Sequence, residues 1–216
     1  MKLISTNVGL PRAIEWRGKQ VTTSIFKDPV AGRLAVTRLN LEGDQQADLT
    51  VHGGNDKAVY AYPSEHYAWW RGELPGVPLP WGSFGENFTT EGLLEGAIHI
   101  GDRLRIGSAE FCVTEPRMPC AKLGIRFGRP EIVKQFLQSR RSGFYLSVTR
   151  EGEVGAGDPV MISARDALAV SVTDIVNLYT VDDPERDLLR RANELTVLPE
   201  NWKEYFREQL QAGSRK

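Results

Sequence analysis

The chain is poor in the residues that most often announce chemistry. Its 216 residues include two cysteines, three histidines and three methionines. Two cysteines cannot build a cysteine-only zinc or iron–sulfur site, and the histidines show no paired ligand spacing. No apolar run approaches the ~20 residues that a membrane span needs. The opening MKLISTNVGLPRAIEW lacks the apolar centre of a signal peptide. These absences place the chain in the cytoplasm, where disulfides seldom persist, so Cys112 and Cys120 are expected as thiols. Charge of one sign is also missing: 27 basic against 28 acidic residues leave a net −1. No basic field advertises nucleic acid, and nothing suggests a membrane partner. There is no phosphate-binding GxxxxGK[ST] loop, no GxGxxG after a strand, no HExxH and no GxSxG.

Turn formers are plentiful, with 21 glycines and 12 prolines. They separate short strand-like runs. AIEWRGKQVTTSIF reads as a hairpin, Ala13–Trp16 and Lys19–Phe26, turning at Arg17-Gly18. GRLAVTRLNLEG, KAVYAY, the two halves of AIHIGDRLRIGSAEFCVTE, the hairpin arm GFYLSVTREGEV and DPVMISA continue the series. Helices are expected in PSEHYAWWRGEL, CAKLGIRF and RPEIVKQFLQSRR. From about Arg165 the texture turns helical: VTDIVNLYT, DPERDLLRRANEL and PENWKEYFREQLQAG, with Thr173 or Asp174, Asp183-Pro184 and Pro199 as start signals. The expected fold class is mainly β with helices (α+β): a closed or partly closed barrel-like domain over residues 1–165, then a small three-helix unit over 166–216.

Several stretches could carry chemistry. His52-Gly53-Gly54 followed by Lys57 can form an anion-binding concavity, or be a plain turn between strands. Phe84-Gly85-Glu86-Asn87 can read the donor and acceptor edge of a heterocycle, or simply satisfy its own backbone. Arg140, Arg141, Ser142 and Gly143 can complete an anion site or end a helix in solvent. Lys27, Asp44 and Asp48 are ambiguous. EPRMPCAKLG is the sharpest signal. Pro119 fixes the backbone before Cys120, helix formers come next, and Arg117 and Lys122 flank it. A thiol so placed should have a depressed pKa, and thiolate binds soft metals or attacks electrophiles. The bland alternative is a buried thiol acting as a small hydrophobe, which is the reading for Cys112 within AEFCVTE.

Taken in order, GDQQADLTVHGGNDKAVYAYPSEHY, FGENF, GDRLRIG, PRMPCAKL and RSGFYLSV closely resemble the MOSC domain family, named for the C-terminal domain of molybdenum cofactor sulfurase. The three terminal helices resemble those of its YiiM-like bacterial branch. The resemblance implies a β-rich barrel-like domain that binds the molybdenum cofactor (molybdopterin), with Cys120 donating its sulfur to the metal. Pyridoxal phosphate is a further ligand associated with such domains. It implies reduction of N-hydroxylated compounds, including hydroxylaminopurine-type base analogues, to amines. The positions carried over are Lys27, Asp44, His52, Gly53, Gly54, Lys57, Phe84, Gly85, Glu86, Asn87, Arg117, Cys120, Arg141, Ser142 and Gly143. Ser24, Phe88 and Met118 stand where the family often has Gly, Leu and Gln. With no flavin or nicotinamide signature in the chain, the reading requires a separate electron donor, a reductase or thiol system; a monomer or homodimer is expected. Two other readings share the pocket: a non-catalytic cofactor carrier, and a sulfur carrier cycling Cys120 through a persulfide.

Overall fold

The computed structural model describes residues 1–47 and 53–212. Asp48 and His52, both singled out above, lie outside the described residues. The strands are β1 (Lys2–Val8), β2 (Arg12–Trp16), β3 (Lys19–Thr23), β4 (Asp28–Val30), β5 (Arg33–Val36), β6 (Val59–Pro63), β7 (Phe88–Glu91), β8 (Arg103–Ile106), β9 (Ala109–Pro116), β10 (Phe144–Arg150), β11 (Gly152–Gly155) and β12 (Val160–Ala164). The helices are α1 (Glu65–Glu73), α2 (Ala121–Phe127), α3 (Ile132–Ser139), α4 (Val172–Thr180), α5 (Arg186–Glu194) and α6 (Glu200–Ala212).

Eight strands form one mixed sheet in the order β12-β8-β9-β10-β6-β7-β1-β4, with β6 and β7 its parallel pair. This is an α+β fold. Among the described residues the sheet is not closed into a barrel. It curls far enough, however, for a bridge between Lys2 and Pro159 to bring the start of β1 against the approach to β12. The β2–β3 hairpin turns where the sequence places it. Arg17 and Gly18 both take positive φ, 53° and 73°, the geometry that two-residue hairpin turns demand. Its second strand ends at Thr23 rather than Phe26, because residues 24–27 leave the ladder and turn inward. β11 pairs with β5 instead of folding back on β10. β1 and β7, which polar residues disguise in the sequence, complete the sheet.

Two cores hold these layers. The larger joins the sheet's apolar face to the helical unit, uniting Leu104, Phe111 and Leu146 with Ile175, Leu189, Trp202 and Phe206. The smaller is aromatic, packing Tyr62, Tyr67, Trp70, Phe84 and Phe136 beneath α1 and α3. Helix α4 is capped by Ser171, two or three residues before the expected start signal at Thr173 or Asp174. The Ser171 side chain accepts from the Asp174 amide at 3.0 Å while Asp174 accepts from the Ser171 amide at 2.8 Å, a capping box in which Asp replaces the usual Glu.

Candidate functional site

Strand β9 ends at Pro116, and Pro119 keeps the connecting residues out of helix until α2 begins at Ala121. Cys120 is the N-cap of α2, with extended backbone and a half-buried side chain. Cys120 lines an open cleft together with Ser24, Lys27, Asp44, Lys57, Tyr60, Gly85, Asn87, Arg117, Lys122 and Tyr145, among others. Cys112, by contrast, lies inside the sheet opposite Ser147 and is 2% exposed. Burial pushes its thiol pKa up. Neither cysteine is in a disulfide.

The cleft's cations are placed in different ways. Lys27, carried inward by the turn after β3, is buried and paired with Asp44. Burial lowers its pKa, and Asp44 works against that shift. Asp44 also accepts from the Gly9 amide at 2.8 Å and from Asn87 Nδ2 at 2.9 Å. Asn87 accepts from the Tyr60 amide at 3.1 Å. Lys27, Asp44 and Asn87 thus form a neutral clamp that stitches three loops into the wall. Arg117 is 4% exposed, its guanidinium 5.3 Å from the Tyr60 ring and 5.1 Å from the Phe136 ring. Its Nη1 finds no hydrogen-bond partner among the described residues. A buried guanidinium with an unused donor is costly unless a ligand supplies the acceptor. Ser24 Oγ, on the same wall, is likewise buried without a partner among those residues. Lys57 lies at the cleft's other side, 3.7 Å from Glu115.

Other carried-over positions lie behind the cleft. Phe84 is in the aromatic core, ring centroids 4.9 Å from Tyr62 and 5.2 Å from Trp70. The Glu86 carboxylate is fully buried and accepts from Tyr67, from the Gly82 and Phe84 amides at 2.9 and 3.1 Å, and from Thr89 at 3.0 Å. It locks the loop and offers no edge to a heterocycle. Burial raises its pKa against those donors. Gly85 does line the cleft, at φ 83°. Gly53 and Gly54 lead into the 3-10 turn that carries Lys57 without lining the cleft. Arg141 covers the Trp69 ring at 4.3 Å. Ser142 donates to its neighbour's carbonyl at 2.8 Å and accepts from Tyr60 through its own. Gly143, at φ 60°, leaves room for the Ala61 carbonyl, which a Cβ would meet at 2.4 Å. These three shape the wall from behind.

Among the residues that sequence reasoning missed are Tyr60 and Tyr145. Burial raises the Tyr145 pKa to about 12, with Arg117 opposing, so it stands as a neutral hydroxyl. Its only signal was period: Tyr145 alternates with buried Phe144 and Leu146 along β10.

Comparison with known proteins agrees with this architecture. A family model described as the MOSC domain matches residues 48–161, and YflK of Bacillus subtilis (strain 168) is 38% identical over 94% of this chain and 92% of its own length. The chain belongs to the MOSC domain family. YiiM of Escherichia coli (strain K12) is 40% identical over 66% of this chain and 65% of YiiM. A Gibberella moniliformis protein named "Reductase" is 30% identical over 83% of this chain but 32% of its own length. The crystal structure of YiiM from Geobacillus stearothermophilus superposes with a TM-score of 0.80 at 33% identity, covering 97% of this chain and 98% of that one. The MOSC match ends within β12, ahead of α4, whereas the likeness to that YiiM extends across the helical unit.

Proposed function

We propose that this MOSC protein is a molybdenum-cofactor-dependent oxidoreductase that reduces N-hydroxylated compounds, hydroxylaminopurine-type base analogues among them, to amines. One observation carries the reading: a half-exposed thiol, Cys120, shares a cleft with a buried arginine whose Nη1 has no acceptor among the described residues. An anion with hydrogen-bonding edges would satisfy Arg117 and Ser24 together, and a soft metal suits the sulfur. The donor set therefore fits the cofactor. Arg117, with Lys57 and Lys122, would hold its phosphate, and Cys120 Sγ would hold the metal. When bound, the cofactor supplies a two-electron redox centre.

The chain's own residues do the rest. The extended Cys120 backbone, set by Pro119 and the start of α2, aims the thiol into the cleft. The Lys27–Asp44–Asn87 clamp keeps the wall rigid. Tyr60 and Tyr145 restrict water on the side of β6 and β10. The overall conversion, R–NHOH + 2 e⁻ + 2 H⁺ → R–NH₂ + H₂O, draws its electrons from a separate reductase or thiol system. The reading is supported further by the name of the Gibberella moniliformis relative, a reductase.

The test is molybdenum analysis and hydroxylaminopurine reduction on protein made in a host that synthesises the cofactor. Cys120→Ala should cut turnover at least a thousandfold, and its melting temperature should stay within a few degrees because the side chain is outside both cores. Wild-type turnover by that variant at equal molybdenum content would defeat the assignment. Molybdenum loading without N-reduction by any donor would favour a carrier. A stable added sulfur on Cys120 after exposure to a cysteine desulfurase would favour a sulfur carrier.

A further inference from the structure

A second hollow meets the first at Cys120. Lys57, Tyr145 and Cys120 line both. This one, of about 310 Å³, is bounded on one side by Glu115, Met118 and Pro119 and on the other by Tyr179 of α4 and Asn201, Trp202 and Tyr205 of α6. That is at the small end of ligand pockets, the range of a flat bicyclic heterocycle. The Tyr179 ring lies 5.5 Å from Trp202, edge-on at 74°, and 5.4 Å from Tyr205, tilted at 51°. Rings set at such angles present faces and edges to a flat guest.

Glu115 supplies the polar anchor. It is 3% exposed. Its Oε2 accepts from Trp202 Nε1 at 2.9 Å, while its Oε1 has no hydrogen bond among the described residues and faces the Lys57 ammonium only at 3.7 Å. A buried carboxylate oxygen without a close donor asks for an N–H or O–H from a ligand. The two clefts therefore want opposite things: the first has unused donors for an anion, and the second has an unused acceptor beside aromatic rings. The cofactor's phosphate does not suit the second.

Resting on the N-hydroxy reductase reading, we infer that this second cleft seats the substrate's ring. A flat nitrogen heterocycle of purine size stacks among Tyr179, Trp202 and Tyr205 and donates an N–H to Glu115 Oε1. Its N-hydroxy group points to the mouth shared with Cys120. The helical unit thereby selects the substrate, while the β-rich part holds the cofactor.

Two measurements on the full chain test this. The first is calorimetric titration of cofactor-free protein with adenine, the reduced counterpart of 6-hydroxylaminopurine. Tyr179→Ala and Glu115→Gln should each weaken binding at least fivefold. Tyr179 is 42% exposed, so its truncation is the variant least able to disturb the fold. The second uses loaded protein and compares 6-hydroxylaminopurine with ringless hydroxylamine. The preference for the purine, as a ratio of kcat/KM, should fall about tenfold in both variants, mainly through KM. Absent adenine binding in the wild type, equal binding in all three proteins, or an unchanged preference overturns the inference. If loaded wild type reduces no N-hydroxylated compound, the proposed function fails, and the adenine titration still decides what the cleft holds.

Discussion

The two clefts that meet at Cys120 are built by different means. The first is a product of loops pulled tight by polar pairing: Asp44 and Asn87 spend their hydrogen bonds on Lys27, Gly9, Asn7 and Tyr60. What remains unspent is donor capacity on Arg117. The second is a seam between a strand end and two helices, lined by Trp202 of the main core, by Tyr205 packed against that core and by the exposed Tyr179, and what remains unspent there is an acceptor on Glu115. Internal pairing decides what each hollow can offer a guest. A buried polar group left over after the protein has satisfied itself is a better pointer to a ligand than polarity alone.

The largest effect that would break the comparison lies at Arg117. Arg117→Ala removes a charge-assisted contact of about 1.5–3 kcal/mol from the first cleft. The cofactor should dissociate roughly ten- to a hundredfold more readily, measured as molybdenum retained after gel filtration, whereas adenine binding to cofactor-free protein should change less than twofold. Arg117→Lys should recover only part of the loss, since a lysine cannot present the planar fork. Retention equal to wild type in Arg117→Ala would remove the cation from the cofactor's binding. Next comes Trp202→Phe, which deletes the hydrogen bond to Glu115 Oε2 and leaves that carboxylate only its ion pair with Lys57. A cost of about 2 kcal/mol is expected, read as a lower midpoint in urea. An unchanged midpoint would mean that water replaces the indole N–H.

Much of this was legible beforehand, for identifiable reasons. Period-two runs such as FYLSVT and the Arg17-Gly18 turn announce themselves because local sterics and pleat decide them. Pro119-Cys120 at a helix start was visible because proline and helix formers act within a few residues. β1 and β7 were not: Ser5, Thr6, Asn7, Thr89 and Thr90 are polar yet buried. Asn7, for example, is satisfied by Glu86 and Thr89, some eighty residues away. Motif membership also could not separate lining from backing. Glu86 and Asn87 are adjacent, but one faces inward to lock a loop and only the other reaches the cleft. Glu115 stayed hidden because its partner, Trp202, comes from α6, a contact no local pattern encodes.

A smaller effect tests the wall of the first cleft. Gly85 sits at φ 83°, and a Cβ there would stand 2.8 Å from Ile25 Cδ1. Gly85→Ala should cost about 1–2 kcal/mol in backbone strain, partly relieved as the isoleucine tip moves. It should loosen cofactor retention while sparing adenine binding. Equal loss in both would mean that the clefts deform together.

The smallest effect is a slope. Burial raises the Glu115 pKa, with Lys57 and Trp202 opposing and Asp56 assisting. Its folded pKa thus lies above the unfolded value of about 4.3. Between those two values the native state binds more protons than the unfolded chain, so this group's contribution to stability declines as pH rises through the window. Glu115→Gln removes that decline without removing the shape. Whatever its constant offset, the variant's melting temperature minus that of wild type should climb from about pH 4.5 upward and level off once the folded carboxyl has ionised. A flat difference would show that Lys57 and Trp202 cancel the effect of burial, so that the folded carboxyl titrates as in the unfolded chain, and a Lys57 held that close would leave Oε1 less free for a substrate N–H. The sign of one shallow line thus bears directly on whether the aromatic cleft has an acceptor to give.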